Sequence, residues 1–144
     1  MKRLALLLIT TCLSVGAMAA DVIKAERKEV FGDVTVHYNT FNSTFLTPDI
    51  AKAAELIRSK NQGVINVSVI KGGKPLIAQV SGTVKDLTSK TVPLTFRQIT
   101  EAGAIYYIAQ YPVDQQETRT FEIKVQTGDK INTINFNQEL FPGQ

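Results

Sequence analysis

The chain has 144 residues, with 16 Lys and Arg against 13 Asp and Glu, a formal net charge of +3, one histidine, one cysteine and no tryptophan. That length is enough for one domain with a core of its own. A single histidine and a single cysteine argue against zinc and copper centres, which draw on several such ligands, and no Gly-rich loop precedes a helix as a phosphate cradle would.

The N-terminus opens on a basic pair, Lys2-Arg3, followed by an apolar run from Leu4 to Val15 and a small-x-small site at Ala17-Met18-Ala19. This order specifies a secretory signal peptide over residues 1–19, cut after Ala19, with one domain over 20–144. The apolar run is shorter than the roughly 20 residues of a spanning helix, and Ile9-Thr10-Thr11 ahead of Cys12 is no lipobox. Cleavage removes Lys2, Arg3, Cys12 and both methionines but no acid, so the formal charge falls from +3 to +1. The expected product is periplasmic, has no disulfide and no transmembrane segment, and must rely on its core. With no clustered basic surface, a nucleic-acid partner is excluded.

Ala20 to Lys28 is polar and reads as an arm or edge strand, and Phe31-Gly32-Asp33 as a turn. Val34, Val36 and Tyr38 alternate with Thr35, His37 and Asn39, a strand with two distinct faces. Thr47-Pro48-Asp49 predicts a helix start, with Thr as N-cap, Pro at N1 and an acid in the first turn. Ile50, Ala53, Ala54 and Ile57 fall on one face of that helix. Arg58 and Lys60 would occupy its last turn, and Asn61-Gln62-Gly63 would end it.

From Val64 the period becomes two. Ile65, Val67 and Val69 form an inward face, and Lys71-Gly72-Gly73-Lys74 a hairpin turn. Leu76, Ala78, Val80, Gly82 and Val84 continue as its return strand, in which Gly82 marks a bulge or a close backbone approach. Val92, Leu94 and Phe96 predict a strand that Pro93 places at a sheet edge. Ala104 to Tyr111 is apolar on both faces, as a central strand covered twice requires. Phe121, Ile123 and Val125, then Ile134 and Phe136, make two further strands around a turn at Gly128-Asp129. About seven strands and one short helix after the first of them predict a mainly β protein: an antiparallel β-sandwich, immunoglobulin-like in the broad sense.

Several segments carry a resemblance. In order they are His37-Tyr38-Asn39, Thr47-Pro48-Asp49-Ile50-Ala51, Arg58-Ser59-Lys60, Asn66-Val67-Ser68-Val69 and Phe96-Arg97. Ile105-Tyr106-Tyr107-Ile108, Phe121-Glu122-Ile123-Lys124-Val125 and Phe136 complete the set. Their order over nearly all of the mature chain resembles a family of small exported proteobacterial proteins carrying a single domain of unknown function. The family has a Tyr-Gly pair before the Arg-Ser-Lys, where this chain has Ala53-Ala54-Glu55-Leu56-Ile57. The resemblance implies a periplasmic β-sandwich with a helix after its first strand, and no known activity.

Chemistry-bearing residues are few. His37, with Asp33 or Asp49 as an orienting acid, is the one route to a small hydrolase or isomerase, but no Gly-x-Ser-x-Gly elbow or thiol accompanies it. Asp114 and Glu117 share a loop without the ligand spacing of a calcium site. His37, Arg58 and Lys60 form a candidate binding cluster for a carboxylate or acidic peptide. Tyr106, Tyr107 and Tyr111 are candidate cleft aromatics. No catalytic residue, metal or cofactor is expected. The preferred reading is a non-enzymatic module that binds a periplasmic protein, peptide or envelope component. The alternatives are the His37 enzyme and a purely structural or stress-related envelope protein. Oligomeric state is left open.

Overall fold

Alternation with a period of two makes strands of most of the chain, and glycine-bearing turns join them. The computed structural model describes residues 27–143. The segment read as a signal peptide, its cut after Ala19 and the arm up to Glu26 lie outside the described residues. The strands are β1 (Arg27–Phe31), β2 (Val34–Asn42), β3 (Gln62–Lys71), β4 (Lys74–Pro75), β5 (Gln79–Lys85), β6 (Thr91–Leu94), β7 (Arg97–Glu101), β8 (Ala104–Pro112), β9 (Glu117–Thr127) and β10 (Lys130–Leu140). One helix, α1 (Pro48–Ala53), follows a 3-10 turn at Ser43–Phe45. The larger sheet has the order β1-β2-β3-β8-β7, with β4 on the end of β3, and the smaller has β10-β9-β5-β6. Every pairing is antiparallel. The chain is thus mainly β and sandwich-like, with ten strands among the described residues rather than about seven.

The inward faces are those that the alternation marks. Val36 and Tyr38 of β2, Ile65 and Val67 of β3, and Tyr107 and Tyr111 of β8 meet Val84, Phe121, Ile123, Val125 and Ile134 of the smaller sheet. A row of rings crosses the interior. Tyr38 tilts against Phe136 (4.8 Å), Phe136 stacks on Phe121 (4.9 Å), and Phe121 meets the edge of Tyr111 (5.2 Å). Each fully buried large apolar side chain contributes about 1.5–3 kcal/mol. The strand apolar on both faces is β8, which lies between β3 and β7. Its Tyr107, Ala109 and Tyr111 enter the sandwich core, and Ile108 and Tyr106 enter a second apolar cluster on the outer side.

Three local expectations are corrected. First, the helix ends at Ala53, so Arg58 and Lys60 are not in its last turn and Ile57, 66% exposed, is not on its apolar face. Glu55 takes a left-handed φ of 56°. The Leu56 N–H then reaches the Ala51 carbonyl (2.8 Å) and the Glu55 N–H that of Lys52 (3.2 Å), the paired bonds of a Schellman stop. Gly63 belongs to β3, where a Cβ would lie 2.3 Å from the Tyr111 ring. Second, the strand after the Gly72-Gly73 turn is split. β4 stays with β3 for two residues, and β5 pairs with β9 and β6 in the other sheet. The Ala78 N–H, in the crossing segment, donates instead to the Tyr107 hydroxyl (2.8 Å). Third, the strand after Pro93 stops at Leu94, and a separate strand, β7, forms in the larger sheet. The edge position expected from Pro93 holds, since β6 ends the smaller sheet.

A left-handed glutamate carries a cost that glycine avoids. Glu55→Gly is expected to raise stability by about 0.5–1 kcal/mol. The Glu55–Arg97 ion pair (3.3 Å) is exposed on both sides and offsets little of that gain. Thermal unfolding checks this: the melting temperature should rise by a few degrees, and a fall would show that Glu55 is held for another reason.

Candidate functional site

Sheet pleating puts His37, Asn39 and Phe41 of β2 on the outer face of the larger sheet, opposite the core. The β2–β3 register sets them against Ser68, Asn66 and Val64 respectively. From the far side, β8 adds Tyr106 and Ile108, and β7 adds Ile99 and Glu101. The 3-10 turn and α1 form a roof over part of this face. Leu46, Ala51 and Ala54 are buried there against Val64, Ile99 and Ile108, with Phe41, Ile50, Leu56 and Tyr106 packed around them.

The roof is fixed by polar contacts the sequence places locally. The Asn42 Oδ1 accepts from the Thr44 N–H (3.1 Å) and hydroxyl (2.8 Å), which starts the 3-10 turn. Thr47 Oγ1 accepts from the Ile50 N–H (3.2 Å), capping α1. The segment after α1 is then stitched back. Buried Ser43 donates to the Ser59 carbonyl and accepts from its N–H, both at 2.8 Å. The Gln110 amide bonds both backbone groups of Ile57, at 2.6 and 3.3 Å.

Between roof and sheet is an open groove of about 300 Å³. Phe41, Phe45, Leu46, Ile50, Ile99 and Ile108 make its apolar walls, and Asn39, Asn66, Thr47, Glu101 and Tyr106 supply polar groups. Asn39 and Asn66 are a cross-strand pair, so their two amides are neighbours on the floor. The Asn66 Oδ1 is buried and has no hydrogen-bond partner. A buried carbonyl oxygen left this way costs about 1–3 kcal/mol. The groove therefore combines apolar walls with one unsatisfied acceptor.

The residues singled out from sequence are scattered. His37, half-buried, is two residues before Asn39 on the same strand face, is set against Ser68, and is not among the residues that line the groove. Arg58 is exposed and donates to the Thr44 carbonyl (3.2 Å), and the Lys60 carbonyl accepts from Asn42 Nδ2 (2.9 Å). Both contacts lie at or just beyond the far end of β2, five or more residues or roughly 17 Å along the strand from His37. The structure does not bring these three together. Of the tyrosines only Tyr106 lines the groove. Tyr107 and Tyr111 point the other way into the core. Burial holds the Tyr111 phenol well above the ordinary tyrosine range, against smaller opposing pulls from Arg119 and Thr40. Asp33 is ion-paired with Lys71 (3.4 Å) in the β1–β2 turn, and Asp49 is exposed in the first turn of α1. Glu117 is paired with Arg119, and no group of three or more His, Cys, Asp or Glu able to hold a metal occurs among the described residues. Sequence reasoning missed Asn39, Asn66, Leu46 and Ile99 as site residues. The signal available for the first two was a pair of polar positions on outward faces of adjacent strands.

Comparison with known proteins places this geometry. Residues 28–143 match the family model described as Domain of unknown function (DUF4426). The crystal structure of a DUF4426 family protein from Pseudomonas aeruginosa PAO1 is 52% identical, with a TM-score of 0.79 over 83% of this chain and 97% of that one. The fold is also shared with FetP of uropathogenic Escherichia coli strain F11, recombinantly expressed in the periplasm of E. coli BL21(DE3). That protein is 9% identical, with a TM-score of 0.61 over 83% of this chain and 96% of that one. A copper-bound variant of FetP gives 10% and 0.60 over 82% and 96%. No curated protein matches the chain. No described helix is long and apolar enough to cross a membrane. The family match runs from β1 to the C-terminal tail and takes in every residue of the groove, and on it the chain belongs to the DUF4426 family.

Proposed function

We propose that this protein is a non-enzymatic binding module of the periplasm whose ligand sits in the groove beneath the 3-10 turn and α1. The observation that carries the reading is the buried, unsatisfied Asn66 Oδ1. An apolar group would fill the walls, and, with the Asn66 amide turned toward the groove, a hydrogen-bond donor attached to that group would satisfy the oxygen. The ligand class is therefore an apolar body bearing an amide or hydroxyl N–H or O–H, as a peptide side chain beside its own backbone amide does. The lining residues include no thiol and no histidine, which supports binding rather than group transfer. Copper does not carry over from the FetP variant. Among the described residues this chain has His37 as its one histidine and neither cysteine nor methionine. The N-terminal basic, apolar and small-residue pattern, and the fold shared with a protein made in the periplasm, support the location.

The test is a matched pair of fragments. Benzamide and acetophenone share ring and carbonyl, but only the amide donates. Titrations followed by amide resonances should move Asn66, Tyr106 and Ile108, with benzamide binding about tenfold more tightly. In Asn66→Leu the preference should vanish while the protein gains about 1 kcal/mol of stability from losing the orphaned oxygen. Equal affinities in the wild type, or shifts confined to other surfaces, would overturn the assignment.

A further inference from the structure

Of the residues that line the groove, Glu101 alone carries a charge. Strand pleating explains its place. Arg97, Ile99 and Glu101 alternate on one face of β7, and Ile99 is buried in the outer cluster, so that face is on the groove side of the sheet. The cation of the same face is engaged elsewhere. Arg97 pairs with Glu55 (3.3 Å) where the chain leaves α1, four residues and roughly 13 Å along the strand from Glu101. Arg58 is likewise bonded to the Thr44 carbonyl (3.2 Å). Among the described residues no hydrogen bond or ion pair engages the Glu101 carboxylate. The groove thus holds one negative charge and no Lys or Arg in its lining.

The sheet register sets Glu101 well apart from Asn66. Asn66 is paired with Ile108, and Glu101 with Ala104, four residues back on β8. Their backbones are two strands apart and roughly 16 Å from each other before the side chains reach into the groove. Tyr106, paired with Ile99, comes between them. The lining therefore has an amide oxygen toward one end, a carboxylate toward the other, and the largely apolar surface of Tyr106, Ile99 and Ile108 between.

We propose that the occupant of the groove is a small elongated amine, with a neutral donor at one end for Asn66, an apolar middle, and a protonated nitrogen at the other end beside Glu101. Granted that the groove is the ligand site, on which this proposal rests, Glu101 fixes the ligand's charge and length. A volume of about 300 Å³ is at the low end for small-molecule sites and suits one ring-sized body. Two acceptors call for two donors, and a carboxylate with no cation of its own favours the donor that is charged. An anion of the same shape meets repulsion that nothing in the lining offsets. Glu101 is exposed, so the discrimination is moderate: about threefold for the cation over a neutral isostere, and about threefold again over an anion.

Three para-substituted benzamides, bearing aminomethyl, hydroxymethyl and carboxyl groups, test this by titration of the purified protein followed by amide resonances. All three should shift Asn66, Tyr106 and Ile108, with affinity falling in that order, and added salt should narrow the spread. Glu101→Gln should bring the three affinities together, and Glu101→Lys should put the carboxyl compound first. Glu122→Gln, the same charge change at an exposed position of the smaller sheet, should leave the order as it is. Three equal affinities in the groove, or an order that Glu101→Gln does not change, would overturn the role of Glu101 and leave the groove as the site. Shifts confined to other surfaces, or no shifts at all, would overturn both.

Discussion

Phe121→Ala should lower stability by about 4 kcal/mol, the largest loss expected from any single truncation in the core. Phe121 is 0% exposed and sits at the middle of the ring row, stacked on Phe136 with planes 4° apart and meeting the edge of Tyr111. It is the joint through which the smaller sheet touches both β8 and, by way of Phe136, β2. Truncation removes the transfer energy of the ring and two aromatic contacts, each about 0.5–1.5 kcal/mol. The cavity cannot be filled by Val84 or Ile123, whose short branched side chains are fixed by strands on either side. Since domains of this size are stable by about 5–15 kcal/mol in total, the variant should melt roughly 15 °C lower. Phe121→Leu, which keeps most of the volume, should cost about a third as much. Calorimetry on both variants decides it, and a loss below about 1 kcal/mol for the alanine would mean that the core repacks freely. The groove lies on the far side of the larger sheet, so fragment binding below the melting temperature should survive.

How far the sequence carried the reading depends on whether a feature is local. The strands that alternate cleanly, β2, β3, β9 and β10, were legible because one face of each is buried, and β8 because both are. The helix start at Thr47 was legible because its cap is a contact three residues long. Its stop was not. The residues after Ala54 continue an apolar spacing, Glu55 is no glycine to mark the Schellman stop, and the contacts that hold the chain in its new course are distant in sequence: Ser43 holding Ser59, and Gln110 holding Ile57. β7 was missed for a related reason. In RQITE only Ile99 is buried, so the segment has no period to read, and it becomes a strand because β8 offers it a ladder. The split after Pro75 likewise turns on which sheet supplies the next partner.

The candidate site shows the same divide. The lone histidine drew attention because its chemistry is visible in isolation, and the outer face that it marks is the face bearing the groove. The cluster built around it failed because Arg58 and Lys60 were placed by a helix that does not extend to them. Asn39 and Asn66 are unremarkable polar positions until the β2–β3 register sets them side by side beneath a roof. The unsatisfied oxygen is a property of the assembled face, and no property of either asparagine alone announces it.

At Gly82 a local reading and the assembled structure coincide on a backbone requirement inside a strand. A glycine inside an alternating strand signals close approach, and a Cβ built at Gly82 would lie 2.5 Å from the Glu122 carbonyl oxygen and 2.9 Å from the Ile123 Cδ1. The isoleucine methyl can turn aside, but the carbonyl belongs to β9 and is fixed by the β5–β9 ladder in which Gly82 faces Ile123. Relief requires β5 to move away from β9, and among the described residues β6 is hydrogen-bonded to the sheet through β5 alone. Gly82→Ala should therefore cost about 3 kcal/mol, and Gly82→Val more, although both residues favour strands over glycine. The contrast is Gly128, which has a φ of +62° and open space around its Cβ position; alanine there should cost only about 1 kcal/mol, from backbone conformation alone. Urea unfolding of the variants separates the cases. The Gly82 variants should lose their midpoint steeply, and hydrogen exchange should show β5 and β6 opening ahead of the larger sheet. A Gly82→Ala midpoint equal to that of the wild type would mean that the two strands have slack the geometry denies, and that the glycine serves the turn chemistry of the neighbouring loop instead.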